Sequence, residues 1–455
     1  MERVDVFVIG GGGTGSDVTY ALAGAGLKVV MAEREVLGGE CSHYGCDPTK
    51  AMLKAARIAT IARRAGEYGI NVPTVEVDFP AVMRRVRRLI EEETAAGPGP
   101  FQERGARVLM QEARLLDEHR VELEDGTVFE ADRVVMATGS APTAPPIPGL
   151  DEGGYWTNRE AVWHGEDRPE SLAILGAGAI GVEFAQIYAR FGSRVTMMEA
   201  LPHVLPQEEP ESAAAIAGCL AEEGVDVRTG ARVTRVERNG RWRLVMEGAD
   251  AVEADRLIVA TGRRPVFDGH DLAAAGIEMD ARGRPILDET LRTTAGTVWA
   301  GGDAKGDLLF THIGAYDADV IVADILGRPF AKDYRVVPRV TYCAPEVASV
   351  GLTERRAREA GREVATSLAS FSENARSFLE GEQAGLVKLV ADAGTGELLG
   401  GHIVGENAGE LIHQIVTVMA YRVPAAAVGG AIHAYPTLSE SLRAAFRDLA
   451  DRLPS

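Results

Sequence analysis

The chain has 455 residues, more than one domain usually holds, so we expect two or three domains. Its 67 acidic and 48 basic side chains give a formal net charge of −19, which repels phosphate backbones and anionic membrane surfaces and argues against nucleic acid or membrane as a partner. The opening MERVDVFVIGGGG has no secretory pattern, and no apolar run reaches membrane-spanning length, so the sequence predicts a cytoplasmic protein.

The first predicted element is a strand, helix and strand built around a glycine fingerprint. An apolar strand pattern leads into Gly10, Gly12 and Gly15, a helical pattern follows, and a second strand ends at Glu33. The three glycines permit a tight turn, close approach of a pyrophosphate and packing of the helix on the strand, while the helix N-terminus offers N–H donors to the phosphate. Glu33 is placed to accept hydrogen bonds from a ribose. This pattern predicts a dinucleotide site.

Next come two cysteines five positions apart, Cys41 and Cys46, in GGECSHYGCDPTK. Four cysteines are too few for a disulfide scaffold, and a close pair in a cytoplasmic chain favours a catalytic, redox or metal-binding role. A helix that begins at this segment would lower the thiol pKa values. The alternatives are zinc ligands or inert core thiols, but no second Cys/His pair at zinc spacing accompanies them. Cys219 and Cys343 have no neighbouring cysteine in such a motif, and we expect buried thiols at these positions.

The fingerprint then returns, with Gly176, Gly178 and Gly181 after a strand pattern and Glu199 at the end of the next strand. In both copies the acid follows the last glycine by 18 positions. Equal spacing in two copies indicates an internal repeat of nucleotide-binding units.

A second repeat is nested in the first. Strand-like runs end at Thr-Gly turns before a proline, once at Thr138 and Gly139 and again at Thr261 and Gly262, and each turn closes one unit. The linker SAPTAPPIPGL is proline-dense, so we expect it to be extended and to mark a domain boundary near residue 148.

A further strand runs into a Gly-Gly-Asp turn at Asp303, and beyond about residue 335 strand-like and helical runs mix without another fingerprint. We therefore predict an α/β fold with tandem Rossmann-like domains and a C-terminal α+β domain. The boundaries expected are residues 1–148 with 270–334, residues 149–269, and residues 335–455.

Together these features resemble the flavin-dependent pyridine nucleotide-disulfide oxidoreductases, in particular the cysteine motif followed by Pro-Thr-Lys and the C-terminal HAYPTLSE. The resemblance implies FAD in the first nucleotide domain, a nicotinamide cofactor in the second, and a homodimer whose active sites are shared between subunits. By it, the FAD-binding residues are Gly10, Gly12, Gly15, Glu33, Lys50, Thr138, Gly139 and Asp303, and the nicotinamide-binding residues are Gly176, Gly178, Gly181, Glu199 and Gly262.

The resemblance also implies an electron relay from NAD(P)H through the flavin to a Cys41–Cys46 disulfide. Cys46 would face the flavin and Cys41 would exchange with substrate or bind a soft metal ion. Lys50 resembles the family lysine beside the flavin, and Glu183 resembles its ion-pair partner. No resident metal is predicted.

The C-terminal motif departs from the disulfide-reducing members, which carry His-x-His-Pro with a later glutamate holding the second histidine. Here His433 is followed at the base position by Tyr435, with Glu440 as the later acid. A phenol with a reference pKa near 10 is a poor general base at neutral pH, but it can donate a hydrogen bond or lend an oxygen to a metal. This tyrosine resembles the mercuric reductases, and so does the Tyr-Trp-Thr segment at Tyr155, whose ring is either a second metal-facing phenol or an ordinary packed aromatic.

Three side chains bear on specificity. Glu199 would repel a 2′-phosphate, and no arginine lies in the following ALPHVLP, so NADH is favoured over NADPH. Asp47 either opposes thiolate formation or lies in solvent near the helix start. His43 either carries protons or is satisfied by a backbone carbonyl.

The sequence thus predicts a homodimeric FAD enzyme that uses NADH to reduce the Cys41–Cys46 disulfide and passes electrons to a metal ion or small disulfide, nearest to the mercuric reductases. The alternatives are a dihydrolipoyl-dehydrogenase-like disulfide reductase and, in another class, a flavin-binding redox sensor without a dedicated acceptor.

Overall fold

A mainly parallel sheet is formed first along the chain in this computed structural model, which describes residues 1–163 and 167–453. Its early strands are β1 (Glu2–Ile9), β2 (Val29–Ala32), β3 (Arg107–Leu109), β4 (Ala113–Leu115), β5 (Arg120–Leu123) and β6 (Val128–Met136), in the order β3-β2-β1-β6-β5-β4. The helices of this part are α1 (Gly13–Gly24), α2 (Gly39–Tyr44), α3 (Cys46–Arg64), α4 (Phe79–Thr94) and α5 (Gly99–Glu103).

Strand β1 lies inside this sheet and is covered on both faces. Val6 and Val8 pack into the apolar layer that contains α1, whereas Phe7 and Ile9 pack into the layer on the opposite face. Burial on both faces explains why this strand reads as a continuous apolar run rather than an alternating pattern.

A second parallel sheet follows. The chain runs through β7 (Ser140–Pro142), α6 (Asn158–Trp163), β8 (Ser171–Leu175), α7 (Ala179–Arg190), β9 (Arg194–Glu199), α8 (Pro210–Glu222), β10 (Asp226–Thr229), β11 (Val233–Asn239), β12 (Arg241–Met246), β13 (Ala249–Ala254), β14 (Arg256–Val259) and β15 (Arg263–Pro265). The sheet has the order β10-β9-β8-β14, and the antiparallel meander β11-β12-β13 shares an apolar cluster with it. Strands β7 and β15 pair antiparallel, so the outgoing and returning connections lie side by side.

The rest of the chain completes the first sheet and adds a third. It contains β16 (Val298–Ala300), α9 (Thr311–Ile325), β17 (Pro338–Thr341), β18 (Glu346–Gly351), α10 (Glu354–Glu359), β19 (Val364–Ser370), α11 (Ala375–Glu380), β20 (Leu386–Asp392), β21 (Leu398–Gly405), α12 (Ala408–Ala420), α13 (Ala425–Gly430) and α14 (Ser439–Asp451). Strand β16 joins β6 in parallel, and α9 packs on α1. The third sheet is antiparallel, in the order β17-β18-β21-β20-β19, and α12 and α14 cover one of its faces.

The register of the parallel strands brings the predicted loops together. Ile9 at the end of β1 is level with Met136 at the end of β6, and Leu175 of β8 is level with Val259 of β14. Each glycine loop therefore lies beside a Thr-Gly turn at the carboxyl edge of its sheet, where α/β proteins bind ligands. This is the α/β fold class that the sequence predicts. Within the described residues, no helix is both long and apolar enough to cross a membrane.

Candidate active site

The first glycine loop has two positions that only glycine can fill. Gly10 has φ +104°, and a Cβ there would lie 2.2 Å from the carbonyl oxygen of Ala137. A Cβ on Gly15 would lie 1.9 Å from the carbonyl oxygen of Gly10. Gly12, the residue before α1, is different, because a Cβ there would meet no atom of the described residues within 4 Å. The space above the helix N-terminus is therefore open, as a phosphate-binding loop requires.

Polar groups of three chain segments surround this loop. Both carboxylate oxygens of Glu33 accept backbone N–H groups, from Gly11 and Glu35, each at 2.7 Å. The hydroxyl of Ser140 donates to Asp303 at 2.5 Å. The Oγ1 of Thr138 is buried and finds no hydrogen-bond partner among the described residues. An open cradle beside an unsatisfied buried hydroxyl fits a dinucleotide with its ribose and phosphate oxygens.

The second glycine loop repeats the first. Gly176 has φ +102°, Gly181 would clash with the carbonyl of Gly176 if it carried a Cβ, and Gly178 before α7 opens into free space. The carboxylate of Glu199 accepts N–H groups from Ala177 at 2.8 Å and Leu201 at 2.9 Å.

A cavity of about 1120 Å³ opens at this second loop. Gly178, Glu199 and Gly262 line it, together with Phe310 and Arg232. Arg232 could not be assigned to this site from local sequence, because it follows β10 rather than the strand that ends at Glu199. The cavity is large enough for a nucleotide.

The cysteines lie on successive short segments, Cys41 inside α2 and Cys46 as the first residue of α3. Both are free thiols in this structure. The hydroxyl of Thr311, at the start of α9, donates to Sγ of Cys41 at 3.0 Å and lies 3.3 Å from Sγ of Cys46. Sequence reasoning missed Thr311, since it lies 270 positions from Cys41 and has no local motif of its own.

The two thiols differ in acidity. The pKa of Cys46 is lowered to about 6, chiefly because the Cys41 thiol donates to it. Burial raises this pKa, but the Thr311 hydroxyl and the Lys50 ammonium also lower it, and together these groups outweigh burial. The pKa of Cys41 is raised, because its proton is held by Cys46 and its sulfur is partly buried. The expectation of a lowered pKa therefore holds for Cys46 and is wrong for Cys41. The surrounding contacts therefore favour a thiolate on Cys46.

Lys50, one helical turn after Cys46, forms an ion pair with Glu183 of α7. The Nζ to Oε2 distance is 3.0 Å, and the ammonium lies 4.6 Å from the ring centroid of Tyr342. Burial alone would lower the pKa of Lys50, but the charges of Glu183 and Cys46 outweigh it and raise the pKa. Glu183 also accepts the backbone N–H of Tyr342 at 2.9 Å. A fixed positive charge is thus held beside the thiolate.

Asp47 and His43 flank the thiols, and their contacts bear on the alternative roles given for them above. Asp47 contacts Glu93 of α4, whose pKa is raised by burial and by that neighbour, and the charge of Asp47 opposes both thiolates. The Nδ1 of His43 is buried and has no hydrogen-bond partner in the described part of the chain, so no backbone carbonyl satisfies this nitrogen.

Of the C-terminal residues, His433 and Tyr435 lie on an exposed loop before α14, and Glu440 lies in the first turn of that helix. Tyr435 is 75% exposed, and His433 places Nδ1 at 3.2 Å from the carbonyl of Ala431. Glu440 accepts the backbone N–H of Thr437 at 3.2 Å. Tyr155 lies elsewhere, packed with Ile147 against the apolar cluster of the second sheet, which favours the packed-aromatic alternative for its ring.

Comparisons with known proteins extend over the whole chain. Residues 4–318 match the family described as pyridine nucleotide-disulphide oxidoreductase, and residues 337–446 match the dimerisation domain of that family. A dihydrolipoyl dehydrogenase of Chlorobaculum parvum is 37% identical over 99% of this chain and 98% of its own length. A mercuric reductase of Streptomyces lividans is 35% identical over 97% of this chain and 95% of its own length. The Cu(II) complex of the HOCl-induced flavoprotein disulfide reductase RclA from Escherichia coli has a TM-score of 0.88 at 28% identity, covering 99% of this chain and all of the other.

Proposed function

Because the chain belongs to the pyridine nucleotide-disulphide oxidoreductase family, as its sequence predicts, and is therefore an FAD-dependent enzyme, we propose that it uses NADH to reduce the Cys41–Cys46 disulfide and delivers the electrons to a soft metal ion. The division into residues 1–148 with 270–334, residues 149–269 and residues 335–455 is part of this proposal, as are a homodimer with shared active sites and a cytoplasmic location. The matched dimerisation domain supports the homodimer.

The two glycine loops would hold the two cofactors. The open cradle at Gly12 with Glu33, Thr138 and Asp303 fits FAD, and the cavity at Gly178 fits the nicotinamide cofactor. When bound, FAD would relay two electrons from the nicotinamide to the disulfide. The chain itself supplies binding, orientation and the charges around the sulfur atoms.

The observation that carries the proposal is the placement of two free thiols beside the Thr311 hydroxyl and the Lys50–Glu183 ion pair. A hydride brings two electrons and one proton, and reduction of a disulfide breaks the S–S bond to give one thiol and one thiolate. The raised pKa of Cys41 and the lowered pKa of Cys46 match this division, with the proton on Cys41 and the charge on Cys46. The Lys50 ammonium and the Thr311 hydroxyl, 3.3 Å from Sγ of Cys46, stabilise that charge. The site is therefore built to hold the product of hydride reduction.

The preference for NADH rests on Glu199. Its carboxylate is fixed by two backbone N–H groups at the rim of the cavity, where the ribose of the cofactor would lie, and a fixed negative charge there disfavours a 2′-phosphate. Arg232 lines the same cavity, and its positive charge would favour a 2′-phosphate. Glu199 binds two donors of the loop itself, whereas Arg232 is exposed, so we give Glu199 the larger weight.

The metal acceptor is supported by Tyr435. An exposed phenol on the dimerisation domain can reach a site in a partner subunit, and it can donate to or ligate a metal ion but is a poor general base at neutral pH. Cys41 and Cys46 of the partner's site would provide the soft ligands that Hg(II) and copper prefer. One hydride suffices for one Hg(II) or for two Cu(II) ions. The mercuric reductase relatives and the Cu(II)-bound neighbour are similar proteins for which a metal is named.

A second candidate is reduction of lipoamide, which the 37% identical dihydrolipoyl dehydrogenase favours. The two functions share the dithiol and differ in the acceptor. The third, a redox sensor, shares the cofactors but has no rapid acceptor.

One experiment separates them: NADH oxidation is followed with Hg(II), Cu(II), lipoamide, glutathione disulfide, a quinone or oxygen as acceptor, in wild-type protein and in Cys46→Ser. We expect the metal ions to support the fastest turnover and Cys46→Ser to abolish it. Rapid lipoamide reduction without metal turnover would establish the second candidate, and slow turnover with every acceptor would establish the sensor.

A further inference from the structure

The helix that carries Cys41 has little stability of its own. Helix α2 has six residues, far fewer than an isolated helix needs in water. Gly38 and Gly39 precede and open it with φ +91° and +58°, Gly45 ends it, and no side-chain cap satisfies its first turn. None of its residues is fully buried. Contacts from outside α2 must therefore fix the position of Cys41.

Helix α6 supplies contacts to the end of α2. The Nδ2 of Asn158 donates to the carbonyl of Tyr44, and the indole N–H of Trp163 donates to the carbonyl of His43, both at 2.7 Å. These are carbonyls that the short helix leaves without an intrahelical partner. Helix α6 thus acts as the C-terminal cap of α2, although it lies more than 110 positions later.

The start of α2 is held by Glu40, the residue before Cys41. One carboxylate oxygen accepts from the guanidinium of Arg159 of α6, whose nearer nitrogen is 2.7 Å away. The other oxygen accepts from Asn158 at 2.8 Å and lies 3.3 Å from Arg263 of β15. Arg263 also donates to the hydroxyl of Ser140 in β7 at 2.7 Å. The start of α2 is therefore fastened to α6 and to the β7–β15 pair through charged hydrogen bonds at Glu40, and its end is fastened to α6.

We propose that α6 is a brace that positions Cys41 against Cys46, acting through Glu40, Asn158 and Trp163; the inference rests on the proposed function, in which this pair is the redox disulfide. Two thiols close a disulfide in proportion to their effective concentration, which rises when one of them is held close to the other. A loosened brace lets Cys41 move away and makes the disulfide less favoured relative to the dithiol. None of these three brace residues touches the sulfur atoms, so they act as positioning residues.

The test measures the dithiol/disulfide equilibrium of the holoenzyme. Wild-type protein and each variant are equilibrated with mixtures of reduced and oxidised dithiothreitol, quenched and alkylated, and the labelled fraction of Cys41 and Cys46 is read by mass spectrometry. We expect Glu40→Gln and Asn158→Ala to shift the equilibrium toward the dithiol about tenfold, equal to about 30 mV. Trp163→Phe loses only one hydrogen bond and should give a smaller shift in the same direction.

Glu223→Gln is the matched control. Its carboxylate is bound by one arginine, Arg190, at 2.6 Å and by one side-chain amide, Gln186, at 3.0 Å, and its side chain is 23% exposed, as is that of Glu40. It links α7 to the end of α8 and does not touch α2. We expect its equilibrium to stay within about twofold of wild type.

The brace is refuted if Glu40→Gln and Asn158→Ala behave like Glu223→Gln. If Glu40→Gln does not fold, Asn158→Ala and Trp163→Phe decide the matter. Reduction by NADH is measured separately in wild-type protein. Its absence would contradict the proposed function, whereas the equilibrium with dithiothreitol would still report on the brace.

Discussion

The hydroxyl of Thr311 should set the acidity of the Cys46 thiol. It lies within hydrogen-bonding distance of both sulfur atoms and has a single proton, and a thiolate on Cys46 is the stronger acceptor. A hydrogen bond to a charged group contributes about 1.5–3 kcal/mol, and the low end applies here because Thr311 is exposed. About 1.4 kcal/mol corresponds to one pKa unit. We therefore expect Thr311→Val to raise the pKa of Cys46 by about one unit.

The assay is a pH titration of thiolate absorbance in reduced protein after removal of the reductant. Thr60→Val is the matched control, because Thr60 lies on the same helix as Cys46 and its hydroxyl donates to the carbonyl of Ala56 at 3.2 Å. It should leave the midpoint unchanged. A midpoint in Thr311→Val equal to that of wild type would show that the hydroxyl does not stabilise the thiolate, and the Cys41 thiol and the charge of Lys50 would then have to do so without it.

Variants of Glu199 in the cofactor cavity, of Tyr435 on the C-terminal loop and of Glu208 beside Arg339 give three further tests. Glu199→Arg should shift the ratio of catalytic efficiencies toward NADPH by about a hundredfold, since a repulsion becomes an arginine–phosphate pair; equal efficiencies with both cofactors in wild type would contradict the premise. Tyr435→His should raise the rate of lipoamide reduction at neutral pH by about ten- to a thousand-fold. Both Tyr435→His and Tyr435→Phe should weaken metal-dependent NADH oxidation. Rapid lipoamide reduction by wild type, with both activities unchanged in Tyr435→Phe, would show that this tyrosine only packs. Burial raises the pKa of Glu208, but the nearby His402, whose Nδ1 lies 4.0 Å from Oε2, and the charge and hydrogen bond of Arg339 outweigh it and lower the pKa to about 2. The stabilisation by Glu208 is therefore present above its unfolded pKa of about 4.3 and is lost as the pH falls toward 2. Glu208→Gln should then flatten the pH dependence of the free energy of unfolding, measured with urea, in that window. An unchanged slope would show that Glu208 does not have a lowered pKa in the folded protein.

The glycine loops were accessible from sequence because their constraints are local. Gly15 is required by a contact within the loop, which a fixed spacing of residues encodes, and Gly10 by its φ of +104° at the turn and by the Thr-Gly turn that lies beside it in space. The repeated spacing from the last glycine to Glu33 and to Glu199 has the same origin, since each acid lies at the end of the neighbouring strand and binds its own loop.

The surroundings of the thiols were not accessible in this way. Thr311 reaches the sulfur atoms from the start of α9, and Glu40 is held by side chains of α6 and β15, which no local pattern connects to the cysteine motif. The direction of the Cys41 pKa also depends on which thiol donates to the other, and a helix start predicts only a lowering. Long-range side-chain contacts, rather than backbone propensity, decide these features.

The central claim is that electrons from NADH arrive at Cys41 and Cys46. Oxidised protein is mixed anaerobically with a stoichiometric amount of NADH, quenched and alkylated, and each cysteine is examined by mass spectrometry. The account predicts new labelling of both Cys41 and Cys46, with Cys219 and Cys343 labelled to the same extent before and after NADH. Loss of flavin colour without new labelling at these two thiols would contradict it.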